Sequence, residues 1–209
     1  MRIVLASDTH ERHAGLAVPD GDVFIHAGDF TMQGDLRAVA TFGRWVRALP
    51  HQWKIVIAGN HEVTFEETLD LGLAALGPGQ DGLVYLQDSS IVIDGISFWG
   101  SPWQPWFNDW AFNLPRGSAI AEKWELIPER TDVLITHAAP LGILDLVGSE
   151  HVGCADLLER VLNLRLKLHA FGHLHAGAGI ETRDGVRFVN ASICDEAYDA
   201  TNPVRVVDL

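Results

Sequence analysis

Short β-branched runs punctuate the chain at Arg2–Ala6, Asp22–His26, Lys54–Ala58, Ile91–Ile93, Ile96–Trp99, Asp132–Thr136, Leu168–Phe171, Val186–Asn190 and Val204–Val207. Several are apolar at nearly every position, the pattern of strands covered on both faces. Helical patterns lie between them. The clearest begins near Asp35, with Leu36, Val39, Gly43 and Val46 on one stripe and Pro50 just past its end. Others are expected over Thr64–Leu76, Ser118–Glu125 and Asp156–Leu166. Strands first alternate with helices, then follow one another around residues 83–100 and 179–207. This α/β order predicts mixed sheets sandwiched between helices. No linker or repeat interrupts it, so residues 1–209 are expected to form one domain.

Composition narrows the function classes. The net charge of −13 opposes the backbone of DNA or RNA, and no basic run offsets it. Bulk nucleic acid and anionic membranes are therefore excluded as partners, whereas a small anion drawn to a local metal charge is not. The apolar start, Met1–Ala6, is shorter than the roughly 7–15 residues of a signal-peptide core. No run reaches the roughly 18 apolar residues of a membrane span. A cytoplasmic protein is expected. Cys154 and Cys194 lack the paired spacing of a disulfide framework or zinc cluster and read as buried thiols.

The chemistry lies where the apolar runs end. Successive strands deliver Asp8-Thr9-His10, Gly28-Asp29, Gly59-Asn60-His61-Glu62, Thr136-His137 and Gly172-His173-Leu174-His175. Strand ends of an α/β sheet form the crevice where ligands bind, so these clusters are expected to converge. Carboxylate, amide oxygen and imidazole suit borderline divalent ions: manganese first, with iron, cobalt, nickel or zinc as alternatives. No thiolate joins them, which disfavours a structural zinc site. Asp8-x-His10 and His173-x-His175 have the period-two spacing that points both side chains one way on an extended strand, and at a strand end or turn both can then face one ion. Gly28, Gly59 and Gly172 would let the backbone turn close beside the site.

Taken in order, Asp8-x-His10, Gly28-Asp29, Gly59-Asn60-His61-Glu62, His137 and Gly172-His173-x-His175 resemble the signature of the calcineurin-like metallophosphoesterases. The resemblance implies a four-layer αββα sandwich with two mixed β-sheets and two divalent metal ions. By similarity, Asp8, His10, Asp29 and His175 would hold one ion, and Asp29, Asn60, His137 and His173 the other. A water or hydroxide between the ions would be the nucleophile. His61 would face the leaving-group oxygen as catalytic acid or phosphate contact, with Glu62 or Asp29 orienting it. A closer resemblance, carried by Ser7–His10, His26–Phe30, Gly100–Trp103, Asn113–Gly117 and Asn190–Ser192, is to the small metallophosphoesterase-domain proteins first noted in vertebrate brain. These resemble class III cyclic-nucleotide phosphodiesterases, and their mammalian members have weak activity and bind nucleotides. Some have lost the histidine retained here as His173, and its retention favours an active enzyme.

The expected substrate is a small phosphodiester, with cyclic nucleotides fitting the resemblance. The alternatives are a phosphomonoesterase and a low-activity nucleotide-binding regulatory module on the same site. The stretch from Trp99 to Phe112 carries four of the seven tryptophans, interrupted by Pro102 and Pro105. It reads as a functional loop that anchors most of its rings in the core and leaves one or two, Trp106 among them, to contact substrate. Arg12, His13 and Asn108 are further candidate contacts to phosphate or base, and Arg116 follows the loop. His26, before the Gly-Asp turn, and Glu62 are candidates for supporting ligands through outer hydrogen bonds.

Overall fold

Alternation along each strand decides which layer its side chains enter. In the computed structural model, which describes residues 1–209, Ile3 and Leu5 of the Arg2–Ala6 strand face one core while Val4 and Ala6 face another. The same division splits Ile25 from Phe24 and Ile55 and Ile57 from Val56. Both faces of these strands are buried, which explains their unbroken apolar runs.

The strands form two sheets. The first has five, in the order Arg205–Asp208, Arg2–Ala6, Val23–Ala27, Trp53–Ile57 and Leu83–Tyr85, parallel except at the C-terminal edge strand. The second has six: Gly179–Arg183, Val186–Asn190, Leu168–Phe171, Val133–Thr136, Ile96–Ser101 and Ser89–Ile93. Its four inner strands are parallel and both its edges antiparallel. A shared core of Ile3, Leu5, Ile25, Ile55, Phe98, Val133, Ile135, Leu168 and Val189 joins the sheets face to face. Helices cover the outside. Val39, Phe42 and Val46 of the Leu36–Arg47 helix pack on the first sheet, and Ile120, Trp124, Leu157 and Val161 of the Ser118–Glu125 and Ala155–Leu162 helices pack on the second. The result is the four-layer sandwich of two mixed sheets.

Local chemistry accounts for the helix bounds. The Asp35 carboxylate accepts from the backbone N–H of Arg37 and Ala38, capping the helix that follows. Leu36, expected on the buried stripe, is exposed; Phe42 takes the place beside Val39 and Val46. The helix expected over Thr64–Leu76 breaks into Val63–Glu67 and Leu69–Leu76. Thr68 leaves helical geometry at φ −145° and ψ 64°. Gly72 of the second segment lies so close to the Phe65 ring of the first that an added Cβ would stand 3.0 Å from it.

Five parallel strands, three from one sheet and two from the other, run towards the same edge. Their C-terminal ends carry Asp8, Asp29, Asn60, His137 and His173 just beyond Ala6, Ala27, Ile57, Thr136 and Phe171. A bridge between Ser7 and Ser192 and the bonds from Asp8 N–H to Gly28 O and from Gly172 N–H to His137 O knit these ends together.

Candidate metal centre

The loops that follow the strands turn at once. Asp8, His10, Asp29 and His173 adopt left-handed φ values of 51°, 41°, 56° and 66°. For residues with a Cβ each such turn costs on the order of 1–3 kcal/mol, and such turns concentrate where function demands a direction of approach. Turns beyond the strand ends aim these side chains, and they keep Asp8 and His10 in one group but send His173 and His175 to different groups, not to one ion.

The turns bring together three groups: Asp8, His10 and His175; Asp29, His137 and His173; and His10, Asp29 and His61. In each, one donor atom per residue lies within 4.8 Å of the others. Asp29 is central. Its Oδ2 lies 3.3 Å from His137 Nε2 and 3.9 Å from both His10 Nε2 and His61 Nε2. Asn60 Oδ1 stands 2.9 Å from His137 Nε2, and Asp8 Oδ1 3.6 Å from His175 Nε2.

Backbone carbonyls settle which ring nitrogen is free. The Nδ1 atoms of His10, His61, His137 and His175 meet the carbonyl oxygens of Thr31, Met32, Ala27 and Asp195 at 3.3, 2.7, 2.9 and 2.8 Å. A carbonyl only accepts, so each Nδ1 donates, and each ring turns to the centre an Nε2 that is an acceptor whenever the ring is neutral. His10 Nε2 and His175 Nε2 then face one another, acceptor to acceptor, at 3.3 Å. Such a pair requires a shared proton or a metal cation between the two nitrogens. A buried set of carboxylates, an amide oxygen and bare imidazole nitrogens, with no thiolate, fits hard-to-borderline divalent metals.

The surrounding bonds hold the donors in place. Asp8 accepts from the Ser192 hydroxyl at 2.7 Å and from His173 N–H at 3.0 Å. Asp29 Oδ1 accepts from His61 N–H at 2.9 Å. Fully buried Glu62 accepts from the N–H groups of Asp29, Gly59 and Thr31 and from the Thr31 hydroxyl. Hydrogen bonds to a charged group are worth about 1.5–3 kcal/mol each, so Glu62 clasps two ligand loops together. It does not touch the His61 ring. Met32 O meets the ring at Nδ1, and of the two expected partners only Asp29 approaches His61, at the His61 backbone N–H and at 3.9 Å from Nε2.

The family model for calcineurin-like phosphoesterases matches residues 1–177. The chain belongs to that family. It is 45% identical over 230 aligned residues to "Metallophosphoesterase domain-containing protein 1" of Homo sapiens and of Mus musculus, with 100% of this chain and 71% of each relative covered. Among solved structures, a Thermus thermophilus protein superposes with a TM-score of 0.62 at 13% identity, covering 99% of this chain and 98% of its own. A structure described as that of a novel archaeal phosphodiesterase superposes with a TM-score of 0.51 at 18% identity, covering 100% and 93%. The fold is thus the metallophosphoesterase fold, and the family hydrolyses phosphoesters with metal ions.

Protonation in this phosphoesterase follows from the crowding of charge. Burial alone would raise the Asp8 carboxyl, but the His175 hydrogen bond and the charges of His137, His175 and His10 hold it well below the usual range. For Asp29 the opposing charge and hydrogen bond of His137 outweigh burial in the same way. Burial disfavours charge on His137 and His175, yet Asp29 and Asp8 respectively lift them to about 9. His173 is pushed down to about 3 by burial and by the charge of His137. Burial, then the Asp29 charge, raises Glu62 to about 7 against its amide donors. At neutral pH the protons on His137 and His175 offset the Asp8 and Asp29 charges, and a metal ion binding there would displace those protons.

Several expected contacts lie elsewhere. His13 is buried against Phe42 and Trp45, at ring-centroid distances of 5.4 and 5.1 Å, on the outer face of the first sheet. Arg12 is exposed, and neither it nor Asn108 lines the cavity beside the centre; Asn108 instead offers its carbonyl to the Asn113 amide. His26 reaches no ligand directly. Its Nε2 meets the Thr9 hydroxyl at 3.0 Å, behind the Asp8–His10 turn, and burial pushes its pKa down to about 3. Trp106 does stand at the cavity, 61% exposed. Trp103 anchors the loop through an indole bond of 2.8 Å to Asp88. Sequence reasoning passed over Ser192, Phe107, Trp110 and Tyr198. The Asn190–Ser192 match was the available signal for the first; the aromatic segment held the next two without distinguishing its rings. Tyr198, 4.7 Å from the His10 ring, had none.

Close backbone approach makes the glycines testable. A Cβ at Gly172 would overlap Ser7 Oγ and Asp8 Oδ2, and one at Gly28 would come within 2.7 Å of His137 Nδ1. Gly172→Ala is expected to displace the Asp8 carboxylate and weaken metal binding by at least ~10-fold, the low end for losing a supporting interaction. Metal titration followed calorimetrically, with far-UV dichroism confirming the fold, measures this. Unchanged affinity would show that Asp8 does not depend on that approach.

Proposed function

We propose that this phosphoesterase hydrolyses small phosphodiesters, cyclic nucleotides among them. The observation that carries the reading is the juxtaposition of the two acceptor clusters, joined at Asp29, with His61 on the wall of one cavity of about 390 Å³. Asp8, His10, Asp29 and His175 would hold one divalent ion, and Asp29, Asn60, His137 and His173 a second. Such ions, when bound, acidify a water and neutralise the phosphoryl oxygens. Manganese is the proposed occupant.

His61 supplies a proton. With Nδ1–H donated to Met32 O, its Nε2 is directed at the centre, and in the imidazolium form it carries the proton given to the departing alkoxide. The rest of the cavity favours an uncharged substituent over a second charged group. Trp106, Phe107, Val147, Val152 and Leu174 line it, and its one arginine, Arg116, is committed to the carbonyls of Val152 and Gly153 at 2.8 Å each. A phosphodiester carries one negative charge and two organic substituents, which suits such a wall better than a dianionic monoester.

The test is hydrolysis of bis-p-nitrophenyl phosphate against p-nitrophenyl phosphate by chelated protein reloaded with manganese. Faster metal-dependent cleavage of the diester is expected. Preferential cleavage of the monoester would replace the reading with a phosphomonoesterase. No cleavage of either by metal-loaded protein, with tight binding of a nucleoside monophosphate, would replace it with a nucleotide-binding module.

A further inference from the structure

We infer that Trp110 is a positioning residue for His61, its indole fixing the plane of the imidazole so that Nε2 meets the leaving-group oxygen. The inference rests on the proton-donor reading of His61 and adds to it a residue that nothing in the metal-ligand pattern identifies. The bond from Nδ1 to Met32 O restrains the ring at one point but leaves it free to swing about that contact. Two neighbours remove the freedom. Trp110 lies parallel to the imidazole, with centroids 4.2 Å apart and planes inclined by 26°. On another side the His10 ring meets it edge-on at 4.6 Å and 74°. The offset-stacked and edge-to-face arrangements are the favourable ones for aromatic pairs.

Trp110 can do this because its backbone is tied to the segment that bears His61. Ala111 N–H donates to Asn60 O at 3.0 Å, and Phe112 N–H to the Glu66 carboxylate at 3.0 Å. The Asn113 amide donates to Trp110 O at 2.9 Å. Upstream, the Asp88 carboxylate holds Ser101 at 2.8 Å and Trp103 at 2.8 Å. Indole and imidazole therefore ride on one frame. Trp106, by contrast, stands 61% exposed at the cavity mouth, free to meet substrate. The loop divides its work: one ring faces the ligand, another braces the acid.

A brace of this kind acts on proton delivery and not on substrate affinity, which gives it a signature. Trp110→Leu is expected to lower kcat for an alkyl phosphodiester by roughly 10-fold or more, part of the ~10²–10⁴ that a positioned acid supplies. KM should change by less than about 2-fold, and cleavage of a p-nitrophenyl diester, whose leaving group needs no acid, should be nearly unaffected. Trp110→Phe should restore most of the loss. A readout independent of turnover is the ring proton of His61 in the NMR spectrum of the chelated protein. The indole should shift it upfield in the native chain, and Trp110→Leu should abolish that shift. Equal losses on alkyl and aryl esters, or a rise in KM alone, would overturn the inference and make Trp110 a structural or substrate-stacking residue. If His61→Ala itself shows no dependence on the leaving group, the fault lies with the proton-donor reading; if it does and Trp110→Leu does not, the fault lies here.

Discussion

Replacing Asp29 by Asn is expected to empty the metal centre and reduce turnover by at least ~10³-fold. The native Oδ1 accepts from His61 N–H, which leaves Oδ2 to face His137, His10 and His61 at 3.3, 3.9 and 3.9 Å. An asparagine that preserves the first bond must turn its NH₂ group towards those imidazoles. A donor then points into a hollow built of acceptors, and a negative charge is lost where cations would bind. Loss of a supporting contact alone costs 10–100-fold in metal affinity, and a residue shared by both clusters should cost more. Elemental analysis after dialysis against manganese, with the diester rate measured on the same sample, reads both effects. A variant that retained both ions and turned over within tenfold of the native rate would remove Asp29 from its shared position.

The strand ends were legible in the sequence because two physical signals coincide there: an apolar run covered on both faces, then an abrupt polar cluster. Arg2–Ala6, Leu168–Phe171 and Val186–Asn190 form over the spans that their patterns suggest. The break at Thr68 was not legible, since the apolar spacing of Thr64–Leu76 continues through it, and the close packing of Gly72 on the Phe65 ring appears only in the fold. Direction was the harder quantity. Asp8 and His10 share a side because of left-handed turns, a conformation that sequence spacing does not encode for these residue types. His13 shows the same limit from the other side. Three residues after His10, its short helical turn carries it over to Phe42 and Trp45, away from any phosphate. Spacing names chemistry; tertiary contacts such as the Met32 carbonyl on His61 and the Asp195 carbonyl on His175 decide what that chemistry faces.

His61→Ala should separate proton delivery from metal binding. His61 stands outside both proposed ligand sets, with its Nδ1 on Met32 O and its Nε2 facing the centre 3.9 Å from Asp29 Oδ2. The variant also keeps the backbone N–H that Asp29 Oδ1 accepts, so Asp29 should stay in place. Metal content should therefore be close to native. Turnover of an alkyl phosphodiester should fall by roughly 10²–10⁴, because an alkoxide must then leave without a proton. A p-nitrophenyl leaving group is stable as its anion, and its release should slow far less. The ratio of the two losses is the informative number, since damage to the metal centre would lower both rates alike. Equal losses with native metal content would assign His61 to the phosphoryl oxygens instead, where an imidazolium stabilises charge whatever the leaving group. That outcome would preserve the metal centre and move the search for the acid to the other groups on the cavity wall, with Tyr198 the first to replace.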